Sequence, residues 1–129
     1  MIRVLLIDDE PALIEVGTLF LERSGTLSID SAMNFQLAIE KLKNESFDVI
    51  VADYTLPSIS YPEMFQGLRV SGSSVPIIIF TGKDRDNEIV DALKCKSVYY
   101  LQKSGHPTEL FSKLEELIKK AYKESSESP

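Results

Sequence analysis

The sequence predicts an α/β domain organised as a doubly wound parallel sheet, and three observations carry that expectation. Short apolar runs of strand length recur along the 129 residues. Segments with helical spacing separate them in strict alternation. Three of the runs, VLLI at 4–7, VIVA at 49–52 and PIIIF at 76–80, contain no polar side chain, the mark of strands covered on both faces. Alternating strands and helices form a parallel sheet through right-handed crossovers, with helices packed on each side.

Taken in order, Val4–Ile7 is the first strand, its length and branched side chains favouring strand over helix. Leu13, Val16, Gly17 and Phe20 then share one face of a helix. Leu27–Ala32 (LSIDSA) alternates apolar with polar, as an exposed edge strand does, and Leu37, Ile39 and Leu42 mark the second helix. Val49–Ala52 is the third strand. The helix behind it has the least pattern: residues 55–62 contain two prolines, and only Met64, Phe65 and Leu68 outline an apolar face. Pro76–Phe80 is the fourth strand, followed by Ile89, Val90 and Leu93 on a fourth helix. Val98–Leu101 (VYYL) is the fifth. Behind Pro107, a residue favoured in a first helical turn, Leu110, Leu114, Leu117, Ile118 and Ala121 form the clearest stripe in the chain. The polar KESSESP at 123–129 is expected to fray.

The length suits one compact domain with a core of its own, and no repeat or internal linker interrupts it. Fourteen basic against twenty acidic residues leave a net charge of −6, which argues against direct binding to a nucleic-acid backbone and is compatible with a more basic protein partner. The single cysteine, Cys95, has no internal disulfide partner, as suits a reducing interior, and fits a small packing residue better than a nucleophile. Met1 runs directly into a strand without a basic leader, and no apolar run approaches the roughly 18 residues needed to cross a bilayer. A cytoplasmic protein with no membrane partner is the expectation.

In open parallel sheets, ligands gather at the carboxyl ends of the strands, near the point where strand order reverses. The polar residues at those ends are Asp8, Asp9 and Glu10 after the first strand, Asp53 after the third, Thr81 and Gly82 after the fourth, and Lys103 after the fifth. Singly, each has an ordinary structural explanation as a helix cap, a turn residue or a solvated side chain. Together they form a charge-complementary set drawn from four strands. Adjacent carboxylates repel and raise one another's pKa. A hard divalent cation such as Mg²⁺ relieves that repulsion and bridges to a phosphoryl group, which a lysine balances and a threonine hydroxyl touches. Asp53, on the central third strand, is the carboxylate suited to act as the nucleophile that forms an acyl phosphate.

The stretches IDDE at 7–10, VADYTLP at 51–57, IIIFTGK at 77–83 and YYLQKSG at 99–105 carry a resemblance to the response-regulator receiver domains of two-component signalling, extending from Ile2 to about Tyr122. The resemblance implies a flavodoxin-like three-layer sandwich with strand order 2-1-3-4-5, as a receiver domain over 1–122 followed by a polar C-terminal tail over 123–129. It implies that Asp53 accepts a phosphoryl group from a histidine kinase or phosphotransfer protein. By the same resemblance Asp9 is the direct Mg²⁺ ligand, Asp8 holds metal-bound water, and Asp53 and the backbone carbonyl of Thr55 complete the protein's share of the shell. Lys103 and Thr81 grip the phosphoryl oxygens, and Thr81 with Tyr100 forms the switch. Output then passes from a surface of the fourth helix, fifth strand and fifth helix to a downstream protein or fused output domain, the chain being a monomer or weak dimer. Such a domain promotes its own phosphorylation and dephosphorylation but has no separate turnover substrate.

Four positions depart from the family pattern: Tyr61 stands where a loop glycine is usual, Lys96-Ser97 replace Gly-Ala, and Ser104 replaces the proline after the lysine. Receivers ordinarily have a cis bond before that proline. Before serine a cis bond costs about 2.5–4 kcal/mol, so a trans Lys103–Ser104 bond is expected, with the lysine still directed at Asp53. Among rival readings, a flavodoxin-type electron carrier would face a flavin phosphate with the acids of residues 8–10. A haloacid-dehalogenase-type phosphatase takes its nucleophile from the first strand rather than the third. A pseudo-receiver that serves as an unphosphorylated interaction module is the remaining alternative.

Overall fold

The computed structural model describes residues 1–53, 56, 59–72, 74–82 and 87–127. Within them, strands and helices alternate as β1 (Ile2–Ile7), α1 (Pro11–Glu22), β2 (Leu27–Ala32), α2 (Phe35–Asn44), β3 (Val49–Ala52), α3 (Tyr61–Gly72), β4 (Ile77–Thr81), α4 (Asn87–Leu93), β5 (Val98–Gln102) and α5 (Pro107–Glu127). All the strand pairings are parallel, in the order β2-β1-β3-β4-β5. The doubly wound sheet and its 2-1-3-4-5 order are therefore as expected.

The period of two along each strand divides the core. Leu5, Ile7, Ile50, Ala52, Ile77, Ile79 and Val98 pack with Ala38 and Leu42 of α2, Met64 and Leu68 of α3, and Ile89 and Ala92 of α4. Val4, Leu6, Val49, Val51, Ile78 and Phe80 pack on the other side with Leu21 of α1 and with Phe111, Leu114, Ile118 and Ala121 of α5. Each fully buried aliphatic side chain contributes about 1.5–3 kcal/mol before chain entropy is subtracted, so two helical layers over uniformly apolar strands are the main source of stability. The sandwich has three layers.

Several elements differ in detail from their sequence patterns. β1 begins at Ile2 because that residue pairs with Leu27 and donates to the Thr26 carbonyl at 3.0 Å. β4 begins one residue after Pro76, which has no N–H for the ladder but whose carbonyl accepts from Ile50 at 2.9 Å. Val16, Leu37 and Val90, assigned to buried faces by spacing, are exposed. The buried faces turn instead on small residues that admit close approach. A side chain at Gly17 would meet the Phe111 ring at 3.1 Å, and Ala38 and Ala92 are buried. In β2 only the end residues Leu27 and Ala32 are buried, and the four between are half-buried rather than alternating.

α3, faint in sequence, starts with Ser60 and Glu63 in capping-box spacing: the Ser60 hydroxyl donates to Glu63 Oε1 at 2.9 Å and accepts from the Glu63 amide at 3.4 Å. The segment expected to fray after residue 122 is helical to Glu127. Tyr99 on β5 donates a hydrogen bond to the Glu124 carboxylate, tying that last stretch of α5 to the sheet. Burial, and then that carboxylate, push the Tyr99 hydroxyl up to about 12. Ser97, at the Lys96-Ser97 departure, adopts a left-handed backbone with φ 64°. The Arg69 guanidinium holds the loop in place through the carbonyls of Val75 at 2.5 Å and of Lys96 and Ser97 at 3.2 Å each. Among the described residues, no helix is long and apolar enough to cross a membrane.

Candidate functional site

The ladder continues one residue beyond the strand ends and thereby sets the backbone of the site. Asp8 N–H donates to the Ala32 carbonyl at 3.1 Å, Asp53 N–H to the Ile7 carbonyl at 2.9 Å, and Lys103 N–H to the Thr81 carbonyl at 2.7 Å. Apolar strands that pair in register thus deliver an acid, an acid and a lysine to one edge of the sheet. Asp8, Asp53 and Thr81 are all buried there.

Lys103 Nζ lies 2.6 Å from Asp8 Oδ2, 3.4 Å from Asp53 Oδ2 and 3.7 Å from Glu10 Oε1. Its stem is largely covered, with the ammonium 5.4 Å from the centre of the Phe80 ring. Asp8 Oδ1 also accepts from the Glu10 amide at 3.0 Å. Burial raises the Asp8 pKa above its ordinary value, and the Lys103 hydrogen bond and Glu10 amide only partly reverse that. For Lys103 the balance is the opposite. Burial works against the ammonium, but the hydrogen bond it donates to Asp8 and the charge of Asp53 outweigh that and hold the pKa above the usual lysine value. The same ion pair favours both charged forms, and the carboxylate loses more hydration than the pair returns.

One oxygen from each of Asp8, Glu10 and Asp53 lies within 4.8 Å of the others. A donor set of carboxylate oxygens, with no nitrogen or sulfur in the group, suits a hard cation such as Mg²⁺ rather than zinc or copper. Glu10 is the outermost of the three, its side chain 64% exposed, so solvent has access on that side for the water that Mg²⁺ retains.

The arrangement gathers Asp8, Asp53 and Lys103 directly, with Thr81 at the end of the neighbouring strand. Asp9 is exposed, and its carboxylate is not part of the group of three. Thr55 lies outside the described residues. Tyr100 is half-buried and packs against the core beneath α2, α3 and α4. The Lys103–Ser104 bond is trans, and Gly105 takes a positive φ of 82°. Lys103 is nearer to Asp8 than to Asp53, whereas the sequence suggested Asp53 as its target. Glu10 appeared in sequence as the third of three acids, but its reach toward Asp53 depends on α1 starting at Pro11 directly beneath the strand ends.

Residues 4–115 match the family profile described as the response regulator receiver domain. The alkaline phosphatase synthesis transcriptional regulatory protein PhoP of Bacillus subtilis is 28% identical over 119 residues, covering 92% of this chain and 49% of that protein. The transcriptional regulatory protein TrcR of Mycobacterium tuberculosis is 32% identical over 120 residues, covering 93% and 46%. The chain thus spans about half the length of these curated relatives. Among solved structures, the receiver domain of the Francisella response regulator 1452 shares the fold with a TM-score of 0.81 at 23% identity, covering 97% of this chain and 99% of that one. The response regulator TrrA of Thermotoga maritima, solved in complex with Mg²⁺ and BeF, has a TM-score of 0.76 at 27% identity, covering 94% and 99%.

Proposed function

The chain belongs to the response-regulator receiver family, which matches it from residue 4 to residue 115, and on that premise we propose that it is a phosphoacceptor whose Asp53 takes a phosphoryl group from a histidine kinase or phosphotransfer protein. The observation that carries the reading is the buried Asp53 carboxylate at the end of the central strand, 3.4 Å from Lys103 Nζ and grouped with Asp8 and Glu10. A carboxylate oxygen of Asp53 attacks phosphorus. The P–N bond of a donor phosphohistidine breaks with its electron pair returning to the imidazole, leaving an acyl phosphate on Asp53.

Lys103 is already charged and held by packing over Phe80, so it neutralises an incoming phosphoryl oxygen without first collecting a proton. Thr81 presents a hydroxyl from the end of β4, where the Lys103 amide anchors its carbonyl. Asp8, Asp9 and Asp53, with the Thr55 carbonyl, would hold Mg²⁺, which supplies neutralisation of the phosphoryl oxygens when bound. The domain occupies residues 1–122 with 123–129 as a polar extension, acts in the cytoplasm without a separate turnover substrate, and works as a monomer or weak dimer. It passes its state through Thr81 and Tyr100 to a downstream protein or fused output domain.

Incubation with acetyl phosphate and Mg²⁺ followed by intact-mass measurement tests the reading. Wild type should gain one phosphoryl group and Asp53→Asn none. Wild type that stays unmodified would favour an unphosphorylated interaction module, and equal modification of the variant would reject Asp53 as the acceptor.

A further inference from the structure

We infer that Glu10 is a further positioning residue of this site, an additional carboxylate that strengthens divalent-cation binding beyond what the aspartates achieve; the inference rests on the metal-dependent reading above. Glu10 occupies the N-cap position of α1, where short side chains such as Ser or Asp accept a hydrogen bond from the first turn. It makes no such bond, and Pro11 follows it. Its side chain therefore does nothing hydrogen-bonded for its own helix. It extends instead over the strand ends, bringing an oxygen within 4.8 Å of oxygens of both Asp8 and Asp53 and 3.7 Å from Lys103 Nζ.

Of the two exposed acids that follow β1, Asp9 and Glu10, it is Glu10 whose oxygen joins those of Asp8 and Asp53 within 4.8 Å. Glu10 is also the only member of the three that is largely exposed, so its carboxylate is the one that would accept hydrogen bonds from water retained by a bound Mg²⁺. Supporting groups of this kind typically change metal affinity by about 10–100-fold.

The test is Mg²⁺ binding by titration calorimetry, with the melting temperature measured with and without Mg²⁺, on wild type, Glu10→Gln, Glu10→Asp and Glu15→Gln. Glu15 is an exposed acid on the same helix outside the cluster, so its variant controls for net charge. Glu10→Gln should weaken Mg²⁺ binding about tenfold or more and shrink the rise in melting temperature at a fixed Mg²⁺ concentration, while its metal-free melting temperature holds or increases. Glu10→Asp should recover part of the affinity, and Glu15→Gln should bind as wild type does. Equal affinity in wild type and Glu10→Gln would overturn the inference. So would an equal drop in melting temperature with and without Mg²⁺, the signature of a role confined to the helix terminus. Wild type that binds no Mg²⁺ would overturn both this inference and the metal-dependent reading. Glu10-dependent Mg²⁺ binding without acetyl-phosphate labelling would leave this inference standing and overturn the phosphoacceptor reading.

Discussion

Asp8 shows the energetic tension of the site at the scale of one residue. Its carboxyl is fully buried and its pKa is raised, first by loss of hydration. A raised folded-state pKa means that the native state binds the proton more tightly than the unfolded chain. The associated stability is present below the ordinary value of 3.8 and is lost as pH rises through the folded value. Metal-free wild type should therefore lose stability relative to Asp8→Asn as pH rises from about 4 towards neutrality, as read by melting temperature in chelator; a difference independent of pH would contradict this. Lys103 acts at the other end of the scale, contributing stability that is lost only above its ordinary value of 10.5. Repulsion among the acids leads to a second prediction: Asp53→Asn should raise the metal-free melting temperature, and Mg²⁺ should stabilise wild type more than the variant. A lower metal-free melting temperature for the variant would show that the acids are not in tension. Asp8, Asp53 and Lys103 were legible in sequence because each ends a strand that the apolar pattern marks. The preference of Lys103 for Asp8, and the reach of Glu10, were not, because flexible side chains choose among neighbours that only the tertiary fold supplies.

The same division applies to whole elements. Spacing located every helix, but in α1, α2 and α4 it turned the buried face toward Val16, Leu37 and Val90, all exposed. A three- or four-residue period defines a stripe without saying which edge meets the sheet; Gly17, already in the first stripe, is buried, and close packing adds Ala38 and Ala92 in the others. In α3 the faint apolar face held, with Met64 and Leu68 buried, and the Ser60–Glu63 cap adds a start signal that apolar spacing does not carry. The loop before β5 carries its own prediction. Ser97 sits at φ 64°, a conformation costing roughly 1–2 kcal/mol for a residue with a side chain. Ser97→Gly should stabilise the domain by roughly 0.5–1 kcal/mol once the added freedom of the unfolded glycine is counted, measured by urea denaturation. A loss of stability would mean that the Ser97 side chain contributes more than its backbone costs. At the far end of the sheet, Tyr99→Phe should speed amide exchange in residues 120–127 while leaving the β-sheet protected, because it removes the hydrogen bond to Glu124.

At the scale of the whole molecule, alternation and three wholly apolar strands pointed to a parallel sheet with helices on both faces, and five strands are too few to close a barrel of the βα type. The strand order rested on family resemblance, and the pairings bear it out. The order puts β1 and β3 side by side at the centre, which is why Asp8 and Asp53 converge although 45 residues apart in sequence. On the proposed function, Thr81 on β4 and Tyr100 on β5 couple that centre to the edge of the sheet formed by α4, β5 and α5. The expected consequence is a two-state change there: a beryllofluoride complex should shift the NMR resonances of Lys94, Tyr99 and Tyr100, and unchanged resonances would leave the domain a static module. The most direct measurement of the central claim is borohydride trapping after acetyl phosphate treatment, with peptide mapping of the product. An acyl phosphate on Asp53 is reduced to homoserine, so the account predicts homoserine at position 53 alone, in an amount that depends on Mg²⁺. Homoserine at Asp8 or Asp9, or a yield at position 53 that is the same without metal, would contradict it.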